Sequence, residues 1–324
     1  MRLIRRRLVF GSAALFVSGC AWAQRAARRI AWFGIGRPGV RSPFLEATLA
    51  GLREQGWETG RNLALDVYES GGTQAEADAL ARKMLASNPE LVIVYGRDVV
   101  TLHRAKPSMP VVFAFSGNPV DAGVIQSFAR PGGNFTGMSL LSLELAGKRI
   151  EVLREIFPDM RRLGVLARPE HAGEPREREV SETIAAKLGI TVSYVPIQSA
   201  EDLGDAFAAL SRQKCDSLVA FPDGLMLSAS PRIAKFALDA RLVSISGWAG
   251  FAENGFLATY GPNLRDTYRR LGHYADRVLR GAKPSELPVE LPQTVEFVLN
   301  TRTAASLGLK VPQSLMLRAD RIIE

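Results

Sequence analysis

The chain has little of the chemistry that most metal centres and hydrolases use. It contains two cysteines and three histidines in 324 residues, and His103, His171 and His273 are widely spaced, with no HxxH pair. The sequence therefore does not predict a metal site. It also lacks a GxSxG motif, so nothing in it supports a hydrolase of the nucleophile-elbow kind.

Long apolar runs are scarce as well. Beyond the amino terminus, no stretch approaches the roughly 20 apolar residues that a membrane-spanning helix needs. The amino terminus has a short run, Leu8 to Val17, preceded by Arg2, Arg5, Arg6 and Arg7 without any acidic residue. This arrangement is typical of an export signal, and it predicts a protein exported to the periplasm.

The leader is compatible with two export routes and two processing sites. Arg5-Arg6-Arg7-Leu8-Val9 fits both a loose twin-arginine pattern and the basic start of an ordinary Sec leader. Ala21-Trp22-Ala23 fits ordinary signal peptidase and gives a signal of residues 1–23. Val17-Ser18-Gly19-Cys20 resembles a lipoprotein box, which gives a signal of residues 1–19 and a lipid anchor on Cys20.

Cysteine usage excludes a disulfide within the mature chain. Cys20 is either lipidated or removed, so Cys215 has no partner. We expect Cys215 to act as a small buried hydrophobe beside the strand from Ser217 to Phe221, with a reactive thiol as the alternative.

Charge and length limit the function classes. The formal net charge of +8 includes four leader arginines, which leaves about +4 (8 − 4) on the mature chain without any block of basic residues. A nucleic-acid surface is not predicted. Roughly 300 mature residues exceed what one hydrophobic core usually organises, so two lobes are expected.

Strands and amphipathic helices alternate from Arg29 onward. The first series is IAWFGIG, SPFLEATLAGLREQG, NLALDVYES, QAEADALARKMLAS, LVIVYG and MPVVFAFS, and a second series runs from RRLGVLA to LVSISGW. This order predicts an α/β fold in which each lobe is a doubly wound, mostly parallel sheet flanked by helices.

A literal GxGxxG match follows the first strand, from Gly34 to Gly39. It raises the alternative of a twin-arginine-exported, dinucleotide-dependent oxidoreductase. In that fingerprint the helix opens within the glycines, whereas Ser42 and Pro43 predict a helix that begins beyond them. We therefore expect no cofactor and a loop that brings backbone N–H groups to a cleft.

Two segments carry a resemblance to a known family. They are PVVFAFSGNPVDAGVIQSFARPGGNFTG, from Pro110 to Gly137, and the carboxy-terminal ELPVELPQTVEFVLNTRTAASLGLKVPQSLMLRAD. The chain resembles the tryptophan/tyrosine-type ABC-transporter substrate-binding proteins over nearly its whole mature length. The resemblance implies a two-lobed type I periplasmic-binding-protein-like fold with a multi-strand hinge. It also implies a monomeric carrier, not an enzyme, that delivers a small solute to an inner-membrane permease.

The same architecture underlies two other possible roles. A ligand-responsive regulator of the sugar-repressor type is one, but the leader occupies the place where a DNA-binding helix-turn-helix would lie. A sensory protein that delivers ligand to a receptor is the other, and its binding chemistry would be the same.

The resemblance also sets the expected lobe boundaries. Lobe 1 comprises residues 28–138 and 254–288, and lobe 2 comprises 139–253 and 289–324. The turn Arg130-Pro131-Gly132-Gly133-Asn134 is expected to act as a hinge at Gly132, Gly133 and Asn134, because glycine permits positive φ where the chain crosses.

Candidate ligand contacts follow the carboxyl ends of strands, which face the crevice in such folds. They are Gly36, Arg37, Tyr95, Gly96, Arg97, Ser116 and Asn118 on the first lobe, Arg168, Phe221, Asp223 and Trp248 on the second, and Tyr260 near the crossover. Arg97 and Arg168 would hold a carboxylate and Asp223 an ammonium group, which suits an amino acid. The aromatic rings would enclose a flat ligand, although Phe115 and Phe221 are equally well explained as core.

One position departs from the family pattern. Asn118 stands where relatives commonly have aspartate, in an NPV sequence instead of DPV. The change removes a negative charge near the expected site. The departure therefore argues against an aromatic amino acid as the ligand, although the family resemblance allows one. The pocket chemistry also permits another small carboxylate or a heterocycle.

Overall fold

The computed structural model describes residues 27–36, 42–71, 73–140 and 143–324. The leader with its processing sites, including Cys20, and the candidate residue Arg37 lie outside the described residues. Within the described ranges, every helix is too short or too polar to cross a membrane.

The first lobe is built on a five-stranded parallel sheet in the order β2-β1-β3-β4-β5. Its strands are β1 (Arg28–Ile35), β2 (Leu63–Ser70), β3 (Leu91–Tyr95), β4 (Val111–Phe115) and β5 (Phe135–Ser139), and its first helices are α1 (Pro43–Glu54), α2 (Gln74–Ala86) and α3 (Asp98–Arg104). Successive residues of β1 point to opposite faces, so Ile30 and Trp32 join one core cluster while Ala31 and Phe33 join another. Both faces of the sheet are therefore covered.

The second lobe is built on a seven-stranded sheet in the order β12-β11-β10-β9-β8-β6-β7. Its strands are β6 (Arg162–Ala167), β7 (Thr191–Pro196), β8 (Ser217–Ala220), β9 (Val243–Ser246), β10 (Ala258–Pro262), β11 (Val295–Asn300) and β12 (Arg321–Ile323). The other helices are α4 (Ala146–Ile156), α5 (Glu174–Lys187), α6 (Leu203–Arg212), α7 (Gly224–Asp239), α8 (Ala249–Glu253), α9 (Leu264–Leu279), α10 (Thr301–Leu307) and α11 (Gln313–Arg318). Neighbouring strands run parallel except β10 and β11.

The chain returns to the first lobe at α9, later than the expected boundary at residue 254. Strand β10 pairs with β9 and β11 in the second sheet, because the short α8 lets the chain continue that sheet. Helix α9 then packs against α1 of the first lobe. The two helix backbones approach closely, since a Cβ on Gly272 would lie 2.3 Å from the Thr48 carbonyl oxygen and one on Gly51 would lie 1.9 Å from that of Arg269.

The segment after α9 runs back beside the first sheet. Thr136 donates its hydroxyl to the Leu287 carbonyl at 2.7 Å, and Met138 forms a bridge with Glu290. The chain then enters β11 of the second lobe. Three connections therefore join the lobes, between β5 and α4, between β10 and α9, and between Glu290 and β11.

The turn from Arg130 to Asn134 lies at the amino end of β5, whereas the chain crosses beyond the other end of that strand. The Asn134 side chain donates to the carbonyls of Pro107 and Met109, at 2.7 Å each, and its own carbonyl accepts from the Val111 N–H. These bonds align β5 with β4. The expected hinge at Gly132, Gly133 and Asn134 therefore lies within lobe 1, one strand before the crossing.

Cys215 lies in the connection between α6 and β8, where it is partly buried. It packs against the hydrophobic core, and burial raises the pKa of its thiol. Both features favour the neutral thiol and a packing role.

Candidate functional site

A cavity lies between the lobes, where the carboxyl ends of both sheets face each other. Together with its mouth and the open solvent there, the cavity spans about 610 Å³. Segments that follow β1, β3, β4 and β5 meet segments that follow β6, β8 and β9 around it. Seven of the predicted contacts line this cavity: Tyr95, Gly96, Arg97, Ser116, Arg168, Asp223 and Trp248.

Four other predicted contacts lie away from the cavity wall. The Asn118 side chain accepts the Val120 N–H at 2.9 Å and so closes its own turn. Asn118 does not line the cavity, so the missing aspartate charge at this position does not change the charge of the cavity wall. Phe221 is 4% exposed and belongs to the second-lobe core. Tyr260 packs against Phe297, with ring centroids 6.3 Å apart.

Gly36, the remaining one, lies beside Glu69. A Cβ on Gly36 would lie 2.4 Å from the Glu69 carboxyl carbon, and one on Gly34 would lie 2.2 Å from the Tyr95 ring. These close approaches explain two glycines of the GxGxxG match without a nucleotide. Helix α1 begins beyond the match, as predicted, with the Ser42 hydroxyl accepting the Phe44 N–H at 3.2 Å.

An aromatic cluster that the sequence did not predict forms the first-lobe wall. Phe44 from α1 stacks on Tyr268 from α9, with ring centroids 4.6 Å apart and planes inclined by 15°. The Tyr95 ring meets the Tyr268 ring edge-on, with ring centroids 6.2 Å apart. It also lies against Trp32, with centroids 4.9 Å apart and planes inclined by 34°. Across the cavity, Trp248 supplies the second-lobe ring. The helix start at Ser42 and Pro43 places Phe44 in the first turn of α1, near the strand ends. Tyr268 lies on α9, which the chain enters after returning from the second lobe, and no local sequence pattern predicts that contact.

Charged side chains from both lobes meet at one end of the cavity. The Arg168 Nη2 lies 3.0 Å from the Glu170 Oε2, and the Arg97 Nη1 lies 3.9 Å from the same oxygen. Arg168 also faces Asp223 at 3.8 Å. Burial lowers the pKa of Arg97, and the neighbouring positive charge of Arg168 lowers it further. A carboxylate placed between the two arginines would relieve this repulsion.

A buried hydrogen bond joins the lobes beside these charges. The Ser116 Oγ lies 2.5 Å from the His171 Nε2, and the His171 Nδ1 accepts the Gly173 N–H at 3.3 Å. Because Nδ1 accepts, the proton of the neutral ring is on Nε2, and His171 donates to Ser116. Burial lowers the pKa of His171, which favours this neutral form. His171 is not among the ligand contacts that the sequence predicts, because its chain position alone does not reveal that it reaches Ser116.

A family model described as ABC transporter substrate binding protein matches residues 43–323. The chain belongs to this family. A tyrosine-binding protein of Clostridioides difficile (strain R20291) is 23% identical to it over 277 residues, which cover 84% of this chain and 79% of that protein.

Solved structures of other proteins show the same fold. A conserved domain protein of Vibrio cholerae is 27% identical, with a TM-score of 0.84, and the match covers 91% of this chain and 99% of that one. An ABC domain of Streptococcus pneumonia in complex with L-Trp is 22% identical, with a TM-score of 0.84 and coverage of 92% and 100%. The expected family and the two-lobed type I fold are confirmed.

As a substrate-binding protein of an ABC transporter, the chain belongs to a family of solute carriers and not of enzymes. The cavity agrees with this role in its chemistry. The Ser116 hydroxyl is bonded to the Nε2 of His171, and the Nδ1 of the same ring accepts the Gly173 N–H. That ring nitrogen therefore has no orienting carboxylate, which a serine–histidine catalytic pair normally has.

Proposed function

We propose that this protein is the extracytoplasmic binding component of an ABC importer. It captures a small aromatic carboxylate between its lobes in the periplasm and delivers it to an inner-membrane permease. The observation that carries the proposal is one cavity to which both lobes contribute. Tyr95, Tyr268 and Arg97 come from one lobe, and Arg168 and Trp248 come from the other.

Two-sided contact is what makes ligand capture close the lobes. A ligand shifts the population toward the closed state only as far as it binds that state more tightly. A ring held between Tyr268 and Trp248, with a carboxylate between Arg97 and Arg168, has its full set of contacts only when the lobes meet. The closed form is then the one that a permease recognises.

The aromatic part of the ligand is supported from two directions. Favourable ring pairs add about 0.5–1.5 kcal/mol beyond area burial, and several rings line the cavity. Two relatives are named for aromatic amino acids, tyrosine in one case and L-Trp in the other. We infer that this chain binds a solute of similar size, either an aromatic amino acid or another small aromatic acid.

Native mass spectrometry of the mature protein, followed by a thermal-shift screen of aromatic acids, tests the proposal. A ligand at 100 times its dissociation constant adds about 2.7 kcal/mol to stability, which is readily seen as a raised melting temperature. Small-angle scattering should then show compaction. Absence of compaction with a saturating, identified ligand would contradict the proposal.

A pair of variants separates the site from the rest of the surface. Arg168→Met should lower affinity at least tenfold, because it removes the second-lobe half of the carboxylate clamp. Arg176→Met is the matched control, since Arg176 is exposed on α5, away from the cavity wall, and pairs with Glu179 at 2.7 Å. Its affinity should not change.

The location of the protein and its delivery of ligand to a permease are tested in cells. Fractionation with mass measurement of the processed chain shows whether it is periplasmic and whether Cys20 is lipidated. Uptake of labelled ligand should require both this protein and its permease. Uptake that persists without this protein would contradict the transport role while leaving ligand binding intact.

A further inference from the structure

Two hydrogen-bond donors on the cavity wall have no acceptor among the described residues. The indole Nε1 of Trp248 and the Nε of Arg168 are buried, and neither has a partner among the described residues. Both atoms are N–H donors and neither can accept. A buried donor without a partner loses the hydrogen bonds that water would give it, so a ligand that accepts from these atoms is favoured.

Two acceptors on the wall, Asp223 and Ser116, already have partners. The Asp223 Oδ1 accepts the Met226 N–H at 2.7 Å as the amino-terminal cap of α7, and its Oδ2 faces Arg168 at 3.8 Å. The Ser116 hydroxyl accepts from His171. A ligand ammonium at Asp223 would lie beside the positive charge of Arg168, which opposes its binding there.

A further carboxylate lies nearby but behind the wall. Asp98 is 0% exposed, and its Oδ1 lies 3.9 Å from the Arg97 Nε. It supports the arginine from the protein side and does not line the cavity. It therefore does not offer an acceptor to a ligand.

Glu170 places a carboxylate where the two arginines converge. Its Oε2 lies 3.0 Å from Arg168 and 3.9 Å from Arg97, so one oxygen bridges the two lobes. The Glu170 side chain is 52% exposed, in contrast to the buried Arg168. A side chain so exposed can move into solvent and leave both arginines to an incoming anion.

We propose that the cavity selects a flat aromatic carboxylate without an ammonium group, and that Glu170 holds the carboxylate position until the ligand arrives. The ligand carboxylate replaces that of Glu170 between the arginines, and one of its oxygens or another acceptor on the ligand takes up the indole N–H of Trp248. This inference rests on the proposed function and narrows its ligand class.

Three compounds with one ring and one linker test the ligand class. They are 3-(indol-3-yl)propionate, L-tryptophan and tryptamine, which carry the carboxylate alone, both groups, and the ammonium alone. Titration calorimetry on the mature protein should give at least tenfold tighter binding for the propionate than for L-tryptophan, and no binding of tryptamine. Equal or tighter binding of L-tryptophan would overturn the inference.

A second series with a phenol ring in place of the indole covers the case in which the indole does not fit the cavity. It comprises 3-(4-hydroxyphenyl)propionate, L-tyrosine and tyramine, with the same order expected. If neither series binds while another solute from the thermal screen does, the inference fails and the proposed function stands. If no solute binds and compacts the protein, the proposed function itself fails.

Substitution of Glu170 tests its role as the internal competitor. Glu170→Gln should raise affinity for the better propionate about three- to tenfold, because the competing charge is gone. Glu201→Gln is the matched control, an exposed acid near the cleft mouth, and should leave affinity unchanged. Weaker binding in Glu170→Gln would show that Glu170 contacts the ligand directly, which contradicts the proposal.

Discussion

Ser116 and His171 form a buried hydrogen bond across the cleft, with the Ser116 Oγ 2.5 Å from the His171 Nε2. One residue follows β4 of the first lobe and the other follows β6 of the second. Near them, a Cβ on Gly117 would lie 3.2 Å from the Gly173 nitrogen, so the two backbones also meet. Because the two residues belong to different lobes, we expect the bond to break when the lobes separate, which would link it to ligand affinity.

Replacing Ser116 with alanine is expected to weaken ligand binding about fivefold. A hydrogen bond of this kind contributes about 1 kcal/mol, and the loss falls on the closed state alone. Titration calorimetry measures the affinity, and scattering measures the closed fraction. Ser306→Ala, on an exposed residue of α10 that bonds only to the Arg302 carbonyl, is the control. Equal affinities in all three proteins would remove Ser116 from the closing mechanism.

Replacing Phe44 with alanine is expected to lower ligand affinity at least tenfold, or about 1.4 kcal/mol. It removes the ring that stacks on Tyr268 in the cavity wall. Phe236→Ala is a matched control, because Phe236 stacks on Phe207 with centroids 4.0 Å apart, outside the cavity wall. That variant should lose stability in urea unfolding and keep its affinity. The reverse pattern would place the ligand elsewhere.

The free energy of unfolding should depend on pH through Asp98. Burial raises its pKa from the ordinary 3.8 to about 6, so the folded state binds this proton more tightly than the unfolded chain does. Stability therefore rises as pH falls through 6, by about 1 kcal/mol from this residue between pH 8 and pH 5.

Urea unfolding at pH 8, 7, 6 and 5 measures that rise. In Asp98→Asn the gain on acidification should be smaller than in the wild type by about 1 kcal/mol. Asp205→Asn, at an exposed position in α6, is the control and should follow the wild-type curve. Parallel curves for Asp98→Asn and the wild type would contradict the prediction.

Adjacent glycines in one turn should respond differently to alanine. Gly132 has φ of 81°, and a Cβ there would lie 2.3 Å from the Gln126 side chain. Gly132→Ala should cost about 1–2 kcal/mol of stability. Gly133 lies outside the positive-φ region and has no atom within 4 Å of its Cβ position, so Gly133→Ala should change stability by less than about 0.5 kcal/mol. Equal losses in urea unfolding would show that the turn is uniformly strained.

Local sequence patterns predicted the elements that present the site. The β-branched and aromatic run of β4 is buried along its whole length, and Ser116 follows it directly into the cavity. Arg97, Arg168 and Trp248 were found by the same rule, since each follows a strand whose carboxyl end faces the crevice. This success has a physical basis, because strand burial and strand order are encoded in runs of apolar residues.

The direction in which each side chain points could not be predicted from the local sequence patterns. Asn118 follows the same strand as Ser116, yet its amide oxygen bonds to its own turn. Tyr260 lies in a strand where successive residues face opposite sides, and its register opposite Phe297 turns it toward the second-lobe core. Such choices depend on neighbouring strands and local hydrogen bonds, and not on the residue type.

Sequence alone therefore determined the two mostly parallel sheets and the strand ends that face the cleft, because these follow from apolar periodicity and turn residues close together in the chain. The family followed from the resemblance of two segments to known substrate-binding proteins. Only the tertiary structure decided that α9 brings Tyr268 to Phe44 and that His171 reaches Ser116. These contacts join segments far apart in sequence, and they form through packing of one lobe against the other.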